Sequence, residues 1–187
     1  MKTNENIALY VLRLAGTLFL IAALVALALA GVNSVTAPII EELNAQKTQN
    51  AIAAVLPGGF DTEVTDFADA TGIVSKVYQG EAGYAVEVGP GGFDNTITMM
   101  VGVDNEGKVL GISIVSQTET AGLGAVAAAN TSAGEAFRGQ FVGMGAENDI
   151  LVEKDNGEVA AITGATITSR AICVGVNAAL DCVAGLG

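Results

Sequence analysis

The chain of 187 residues has 20 acidic side chains, 8 basic ones, no histidine and a formal net charge of −12. This charge excludes the basic surface that a nucleic-acid-binding protein needs, so we expect no nucleic-acid partner. Without histidine there is no imidazole base and no histidine ligand, and we expect neither catalytic side chains nor a metal site. Redox chemistry would therefore need a bound cofactor.

The first predicted element is a transmembrane helix. Residues 7–32 are almost entirely apolar, and Arg13 is the only charged residue among them. The uncharged stretch 14–32, at about 1.5 Å per residue, covers roughly the ~30 Å core of a bilayer. The stretch is longer than the core of a signal peptide, although Ala28-Leu29-Ala30 would suit cleavage and keeps that alternative open.

Flanking charges predict the orientation of this helix. Lys2 and Arg13 lie on its N-terminal side, whereas Glu41 and Glu42 follow it. Because positive charge favours the cytoplasmic side, we expect a single-pass protein with a cytoplasmic N-terminus and the remaining domain outside.

Three regions are expected along the chain. Residues 1–35 hold the cytoplasmic N-terminus and the transmembrane helix, residues 36–56 form a juxtamembrane helix, and residues 57–187 form the extracytoplasmic domain. Pro57-Gly58-Gly59 marks the end of the second region.

The third region has the pattern of an α+β domain with antiparallel strands and inserted helices. Turn signals and apolar alternation predict strands at 73–78, 82–88, 95–103, 108–115, 150–154 and 158–162. Asp104-Asn105-Glu106-Gly107 and Asp155-Asn156-Gly157 are hairpin signals. Helices are predicted at 122–130, 135–141 and 169–183.

The turn before the last helix could receive a phosphate. Thr168 or Ser169 is expected to cap the helix, whose free N–H groups and dipole would then face the turn. Arg170 adds positive charge, and Thr166 places a hydroxyl beside the anion site. An ordinary strand-to-helix turn has the same residue types, so local physics leaves both interpretations open.

Thr163-Gly164-Ala165-Thr166 resembles the (Ser/Thr)-Gly-Ala-Thr flavinylation motif of the FMN-binding domain family. In that family a flavin transferase esterifies the last threonine to the phosphate of FMN. The resemblance therefore implies covalent FMN on Thr166 and a flavin transferase as maturation partner. It also implies cofactor contacts by the residues around the acceptor: Thr163, Gly164, Ala165, Thr168 and Ser169.

A second segment, residues 118–124, is similar to the Glu-Thr-Pro-Gly-Leu-Gly loop of the same family, and residues 137–141 resemble its aromatic–Gln–Phe segment. The resemblance implies that Glu119 or Thr120 hydrogen-bonds the polar edge of the flavin and that Leu123 packs on its ring. Gly122 and Gly124 would let the backbone approach the ring. The alternative is a helix cap at Thr120 with a solvated Glu119.

Three positions depart from the family pattern. Ala160 stands where the family usually has aspartate, three residues before the motif. Ala121 replaces the proline of the Glu-Thr loop, and Gln117 replaces a histidine near its start. If the aspartate orients the acceptor or docks the transferase, its absence would weaken flavinylation.

The overall plan resembles two families of membrane subunits. One comprises the G subunits of Rnf complexes, which are ion-translocating ferredoxin:NAD⁺ oxidoreductases, and the other the longer C subunits of Na⁺-translocating NADH:quinone oxidoreductases. The chain length favours the G subunits. This resemblance implies a relay of electrons through FMN to other flavin- and iron–sulfur-bearing subunits in a bacterial or archaeal cytoplasmic membrane. A C-type subunit, a stand-alone extracytoplasmic carrier and an anchored module without flavin remain alternatives.

Overall fold

The computed structural model describes residues 2–147 and 149–186. It divides into two compact units, the first ending at Gln46 and the second beginning at Lys47. A single α-helix, α1 (Lys2–Val55), contains both predicted helical segments, and Pro38 lies inside it. The predicted boundary between residues 35 and 36 therefore falls within one helix, and the division into functional regions stays a prediction.

Helix α1 is long and apolar enough to cross a membrane. Within Leu9–Val55, an 18-residue window reaches a mean hydropathy of 2.4, and none of that window is buried. An apolar surface of this size is unfavourable in water and favourable in lipid. The C-terminal helix passes the same test of length and composition, but 67 % of its window is buried, as in the core helix of a globular domain.

The second unit is built on an antiparallel meander. Its strands are β1 (Thr62–Val64), β2 (Val74–Gly80), β3 (Gly83–Val88), β4 (Thr98–Asp104) and β5 (Val109–Ser116), and each pairs with the next along the chain. The Asp104–Gly107 signal forms the expected hairpin, in which Asp104 Oδ1 accepts from the N–H groups of Glu106 and Lys108 at 2.8 Å. The sequence does not predict β1, because its three residues are too short for a periodic pattern.

Both faces of this sheet are covered. On one face, Val86, Val101 and Val103 join the main core with Ile172 and Val176 of the C-terminal helix. On the other face, Ile52, Val55 and Leu56 at the end of α1 pack against strand residues, which are Tyr78, Ala85 and Met100. Burial on two faces explains why β4 is apolar at nearly every position instead of alternating.

The remaining helices are α2 (Ser132–Gly139) and α3 (Thr166–Ala184), with short 3-10 helices at Gly124–Ala128 and Glu153–Asp155. The helix predicted at 122–130 is thus a 3-10 turn. The α+β class is confirmed.

The predicted hairpin at 150–162 is wrong. Asn156 does turn the chain in the left-handed region, at φ 65°, but its flanks form only a parallel bridge between Val152 and Val159. Side-chain amides bind the two ends of this segment. Asn177 accepts from the N–H of Ile150 and donates to its carbonyl, each at 3.0 Å. Gln140 accepts from the N–H of Ala160 at 2.8 Å and donates to its carbonyl at 3.2 Å. We call residues 150–160 the strap.

Gly102 sets how closely α1 approaches the sheet. A Cβ at this position would lie 2.1 Å from the carbonyl oxygen of Val55. We expect Gly102→Ala in the full chain to lower the free energy of unfolding by about 2 kcal/mol, because the helix end must move away. Chemical denaturation in detergent measures this loss.

Gly91→Ala is the matched control, because a Cβ there meets nothing within 4 Å. Equal stability of the two variants would contradict the close packing of α1 on the sheet.

Candidate functional site

A cavity of about 290 Å³ opens at the start of α3. Eight of the eleven predicted cofactor-binding residues line it: Glu119, Thr120, Leu123, Gly124, Gly164, Ala165, Thr166 and Thr168. The two segments that resemble the FMN-binding family, far apart in sequence, therefore meet at one cavity.

The other three predicted residues do not line the cavity. Thr163 is exposed in the turn before α3. Gly122 takes φ 76°, so its glycine is required by the left-handed turn of the loop. Ser169 is fully buried, where its hydroxyl donates to the carbonyl of Ala165 at 2.9 Å and accepts from the N–H of Ile162 at 3.0 Å.

Three lining residues were missed by sequence reasoning: Phe93, Lys154 and Ile167. Phe93 and Ile167 are 66 % and 50 % exposed, which is unusual for large apolar side chains. A phenylalanine beside a glycine-rich turn is a weak signal for Phe93. No sequence signal points to Lys154, because the strap that carries it has the sequence of a hairpin and gives no indication that it reaches the cavity.

Thr166 occupies the first turn of α3. Gly164 adopts φ 77° and so reverses the chain just before the helix, and the N–H of Ala165 closes the turn on the carbonyl of Ile162 at 2.9 Å. The prediction that Thr168 or Ser169 caps this helix is wrong, because the helix begins at Thr166 and both residues lie inside it.

The hydroxyl of Thr166 has a cationic neighbour. The ammonium of Lys154, which extends from the strap, donates a hydrogen bond to Thr166 Oγ1 at 3.1 Å. Thr166 itself is half-buried. The site therefore has a hydroxyl, the positive charge of Lys154 and the free N–H groups at the start of a helix close together.

The carboxylate of Glu119 is the buried polar centre of the site, at 7 % exposure. Its Oε1 accepts from the N–H groups of Phe93 and Asp94 at 2.9 and 3.1 Å, and its Oε2 accepts from the hydroxyl of Thr168. Two of these donors belong to the glycine-rich turn and the third to α3. Glu119 therefore connects both segments to its own loop. The alternative of a solvated Glu119 is therefore wrong.

Two glycines make room for this carboxylate. A Cβ on Gly92 would lie 2.5 Å from Glu119 Oε1, and a Cβ on Gly124 would lie 2.7 Å from Oε2 and 2.5 Å from Thr168 Oγ1. Gly124 thus permits close packing within the protein, a role beyond the cofactor contact that the family resemblance implies.

Arg170 does not face the hydroxyl of Thr166 as a free charge. Its guanidinium makes two hydrogen bonds to the carboxylate of Asp155 in the strap, at 2.6 and 2.7 Å. This pairing holds the pKa of Asp155 below its usual range and raises the pKa of Arg170. The cation that contacts the hydroxyl of Thr166 is Lys154.

The cavity combines two kinds of surface. Phe93, Leu123 and Ile167 present exposed apolar side chains to it, while Lys154 and the start of α3 supply positive charge beside a hydroxyl. An apolar surface suits a planar aromatic ring, and a helix start with a lysine suits a phosphate. These residues fit a ligand that has both parts, as a flavin mononucleotide does.

Comparison with known proteins gives a family model and several relatives. Residues 92–181 match the model of the FMN-binding domain. This range includes every residue that lines the cavity.

The chain is 34 % identical to the G subunit of the Na⁺-translocating ferredoxin:NAD⁺ oxidoreductase complex of Acetobacterium woodii, over 97 % of each protein. It is 40 % identical to the G subunit of the proton-translocating ferredoxin:NAD⁺ oxidoreductase complex of Clostridium ljungdahlii, over 52 % of the chain and 51 % of that protein. The G subunit of the ion-translocating oxidoreductase complex of Vibrio cholerae is 37 % identical over 51 % of the chain and 46 % of its own length.

Removal of the Glu119 carboxylate should destabilise the site. Glu119→Ala leaves two backbone N–H groups and one hydroxyl without their acceptor, and we expect the free energy of unfolding to fall by about 2–4 kcal/mol. Glu119→Gln keeps one acceptor oxygen, so we expect a smaller loss. Chemical denaturation of the full chain measures both.

Glu106→Ala, in the exposed turn between β4 and β5, controls for the loss of one acidic charge. If Glu119→Ala unfolded at the same denaturant concentration as this control, the network would not stabilise the fold.

Proposed function

Because the chain belongs to the family of G subunits of ion-translocating ferredoxin:NAD⁺ oxidoreductase complexes, we propose that it is a membrane-anchored flavoprotein that relays electrons within such a complex. The FMN-binding domain match and the apolar helix α1 support this role. Among the described residues no group of three or more histidine, cysteine, aspartate or glutamate side chains could hold a metal ion.

FMN is proposed to be joined to Thr166 through a phosphoester. The observation that carries this proposal is the hydrogen bond from Lys154 Nζ to Thr166 Oγ1, 3.1 Å long, at the wall of the cavity. A cation beside the hydroxyl would neutralise the phosphate that the ester places there.

The other hydroxyls of the segment are poorer acceptors. Thr163 lies outside the cavity lining, Thr168 donates to Glu119, and Ser169 is buried with two hydrogen bonds. Thr166 alone among these four combines a position in the cavity wall with a side chain that is not fully buried.

Ala160 stands where the family usually has aspartate, but the backbone at this position is still held in place. Ala160 is exposed, and its backbone is held by both polar atoms of the Gln140 side chain. This contact is independent of the side chain at position 160. It favours retention of the acceptor geometry over an anchored module without flavin.

When bound, FMN supplies one-electron transfer, which the side chains of this protein lack. The residues of the cavity would bind and orient it: Lys154 and the start of α3 at the phosphate, and Phe93, Leu123 and Ile167 around the ring. A covalent link would prevent loss of the flavin outside the cell and leave its ring free to meet a partner. Electrons would pass to and from neighbouring membrane subunits with flavin or iron–sulfur centres.

We propose that the N-terminus is cytoplasmic and the flavin domain lies outside, because Lys2 and Arg13 lie before the uncharged stretch 14–32 of α1 and Glu41 and Glu42 lie after it. Cys173 and Cys182 are buried, and burial raises the pKa of Cys173 to about 12. A membrane-impermeant maleimide should therefore label a Glu106→Cys variant in intact cells through the new thiol. Labelling only after lysis would show that the domain lies in the cytoplasm, which is the opposite orientation.

The acceptor proposal predicts a loss of covalent flavin in Thr166→Val, which keeps the branched side chain but removes the hydroxyl. In-gel flavin fluorescence of the denatured full chain, made together with a flavin transferase, measures attachment. Thr166→Ser retains a hydroxyl and should remain fluorescent.

Thr163→Val is the matched control and should be as fluorescent as the unsubstituted chain. A fluorescent Thr166→Val protein would move the attachment to another residue, and a dark unsubstituted chain would reject covalent flavin altogether.

A further inference from the structure

The ammonium of Lys154 is the only side-chain donor that contacts the acceptor hydroxyl among the described residues. We propose that Lys154 holds Thr166 Oγ1 for phosphoester formation and afterwards pairs with the phosphate. This inference rests on the proposed function, because it assumes that Thr166 is the acceptor. It concerns a residue that lies outside the Thr-Gly-Ala-Thr motif.

The strap fixes the position of Lys154. Asn177 in α3 bonds the N–H and the carbonyl of Ile150 at one end of the strap, each at 3.0 Å. Gln140 bonds the N–H and the carbonyl of Ala160 at the other end, at 2.8 and 3.2 Å. Val152 and Val159 are fully buried between these ends. The backbone around Lys154 is therefore held on both sides, although its side chain is exposed.

The next residue of the strap is a potential competitor. Asp155 is adjacent to Lys154, and a carboxylate there could pair with the ammonium in place of Thr166. The guanidinium of Arg170 binds both oxygens of Asp155, at 2.6 and 2.7 Å, and among the described residues this is the only ion pair. An exposed ion pair adds little stability. Its consequence here is to leave Lys154 available for the hydroxyl.

The lysine would act on the reaction through charge. In the attachment step Thr166 Oγ1 forms a bond to the phosphorus of a phosphoanhydride of FMN, and the anhydride P–O bond breaks. The departing nucleoside monophosphate keeps the electron pair of that bond, and the hydroxyl proton is lost to a base supplied by the flavin transferase or to water. An ammonium at 3.1 Å stabilises the negative charge that develops on Oγ1 and on the phosphate.

Lys154→Met tests this charge, because methionine has a similar length and no donor. The unmodified full chain, purified in detergent, is incubated with a flavin transferase and flavin adenine dinucleotide, and in-gel fluorescence gives the rate of attachment. We expect Lys154→Met to react about tenfold more slowly, from the loss of one charge-assisted hydrogen bond. Lys154→Arg should restore most of the rate.

Lys76→Met is the control for net charge, since Lys76 is an exposed lysine of β2 that does not line the cavity. It should react like the unsubstituted chain. Chemical denaturation should give all variants the same stability, which separates a loss of charge from a loss of fold.

Each result has a distinct meaning. Attachment to Lys154→Met at the unsubstituted rate would overturn the inference and leave the proposed function intact. A slow Lys154→Arg variant of normal stability would also overturn it, because the positive charge would then not suffice. If the unsubstituted chain acquired no flavin, the proposed function itself would fail, and the inference with it.

A second comparison isolates the ion pair. Arg170→Gln releases Asp155 to compete for Lys154, so we expect slower attachment. The double variant Arg170→Gln/Asp155→Asn removes the competitor and should recover the rate. A double variant as slow as Arg170→Gln would overturn the role assigned to Asp155, because the pair would then serve only to hold the strap.

Discussion

The buried carboxylate of Glu119 connects the three segments that enclose the cavity. It accepts from two backbone N–H groups of the glycine-rich turn and from the hydroxyl of Thr168 in α3. A buried carboxylate is unfavourable unless it is fully hydrogen-bonded, so these segments must meet in one arrangement. Gly92 and Gly124 follow from the same constraint, since a Cβ at either position would collide with the carboxylate. The position of the turn that leads to Thr166 depends on this network, because Thr168 belongs to the first turns of the same helix.

A second constraint is the scarcity of positive charge. In a chain with a net charge of −12, the phosphate that we propose at the start of α3 would need a nearby cation. We propose that Lys154 fills this role from a segment without regular strand pairing, whose two ends are held by side-chain amides. Arg170, although closer in sequence to the acceptor, is paired with Asp155. The site therefore separates its two cations, because Lys154 contacts the hydroxyl of Thr166 and Arg170 contacts Asp155 of the strap.

Part of this arrangement could be predicted from the sequence. The apolar run of α1, the β4–β5 hairpin and the final helix follow from local periodicity and turn chemistry. The family resemblance brought Thr166 and the Glu119 loop into one hypothesis, and the structure brings both to one cavity. The helix, the hairpin and each of the two motifs are encoded by residues that are neighbours in the chain.

The remaining features depend on contacts between distant residues. The strap has the sequence of a hairpin, with Asp155-Asn156-Gly157 at its turn, yet its two ends are hydrogen-bonded by the side chains of Asn177 and Gln140, 27 and 20 positions away. Lys154 could not be assigned without that fold. Glu119 was predicted to face the cofactor or solvent, because no local pattern indicates that Thr168, 49 positions away, donates to it. Helix α3 starts before its predicted caps since Gly164, not a capping hydroxyl, turns the chain.

If one FMN is esterified to Thr166, mass spectrometry of the purified full chain should detect it. We expect an intact mass higher than that of the unmodified chain by one FMN less one water. Fragmentation of the peptide that contains residues 163–170 should place the addition on Thr166. An unmodified mass from cells with an active flavin transferase, or an addition located on another residue, would contradict the account.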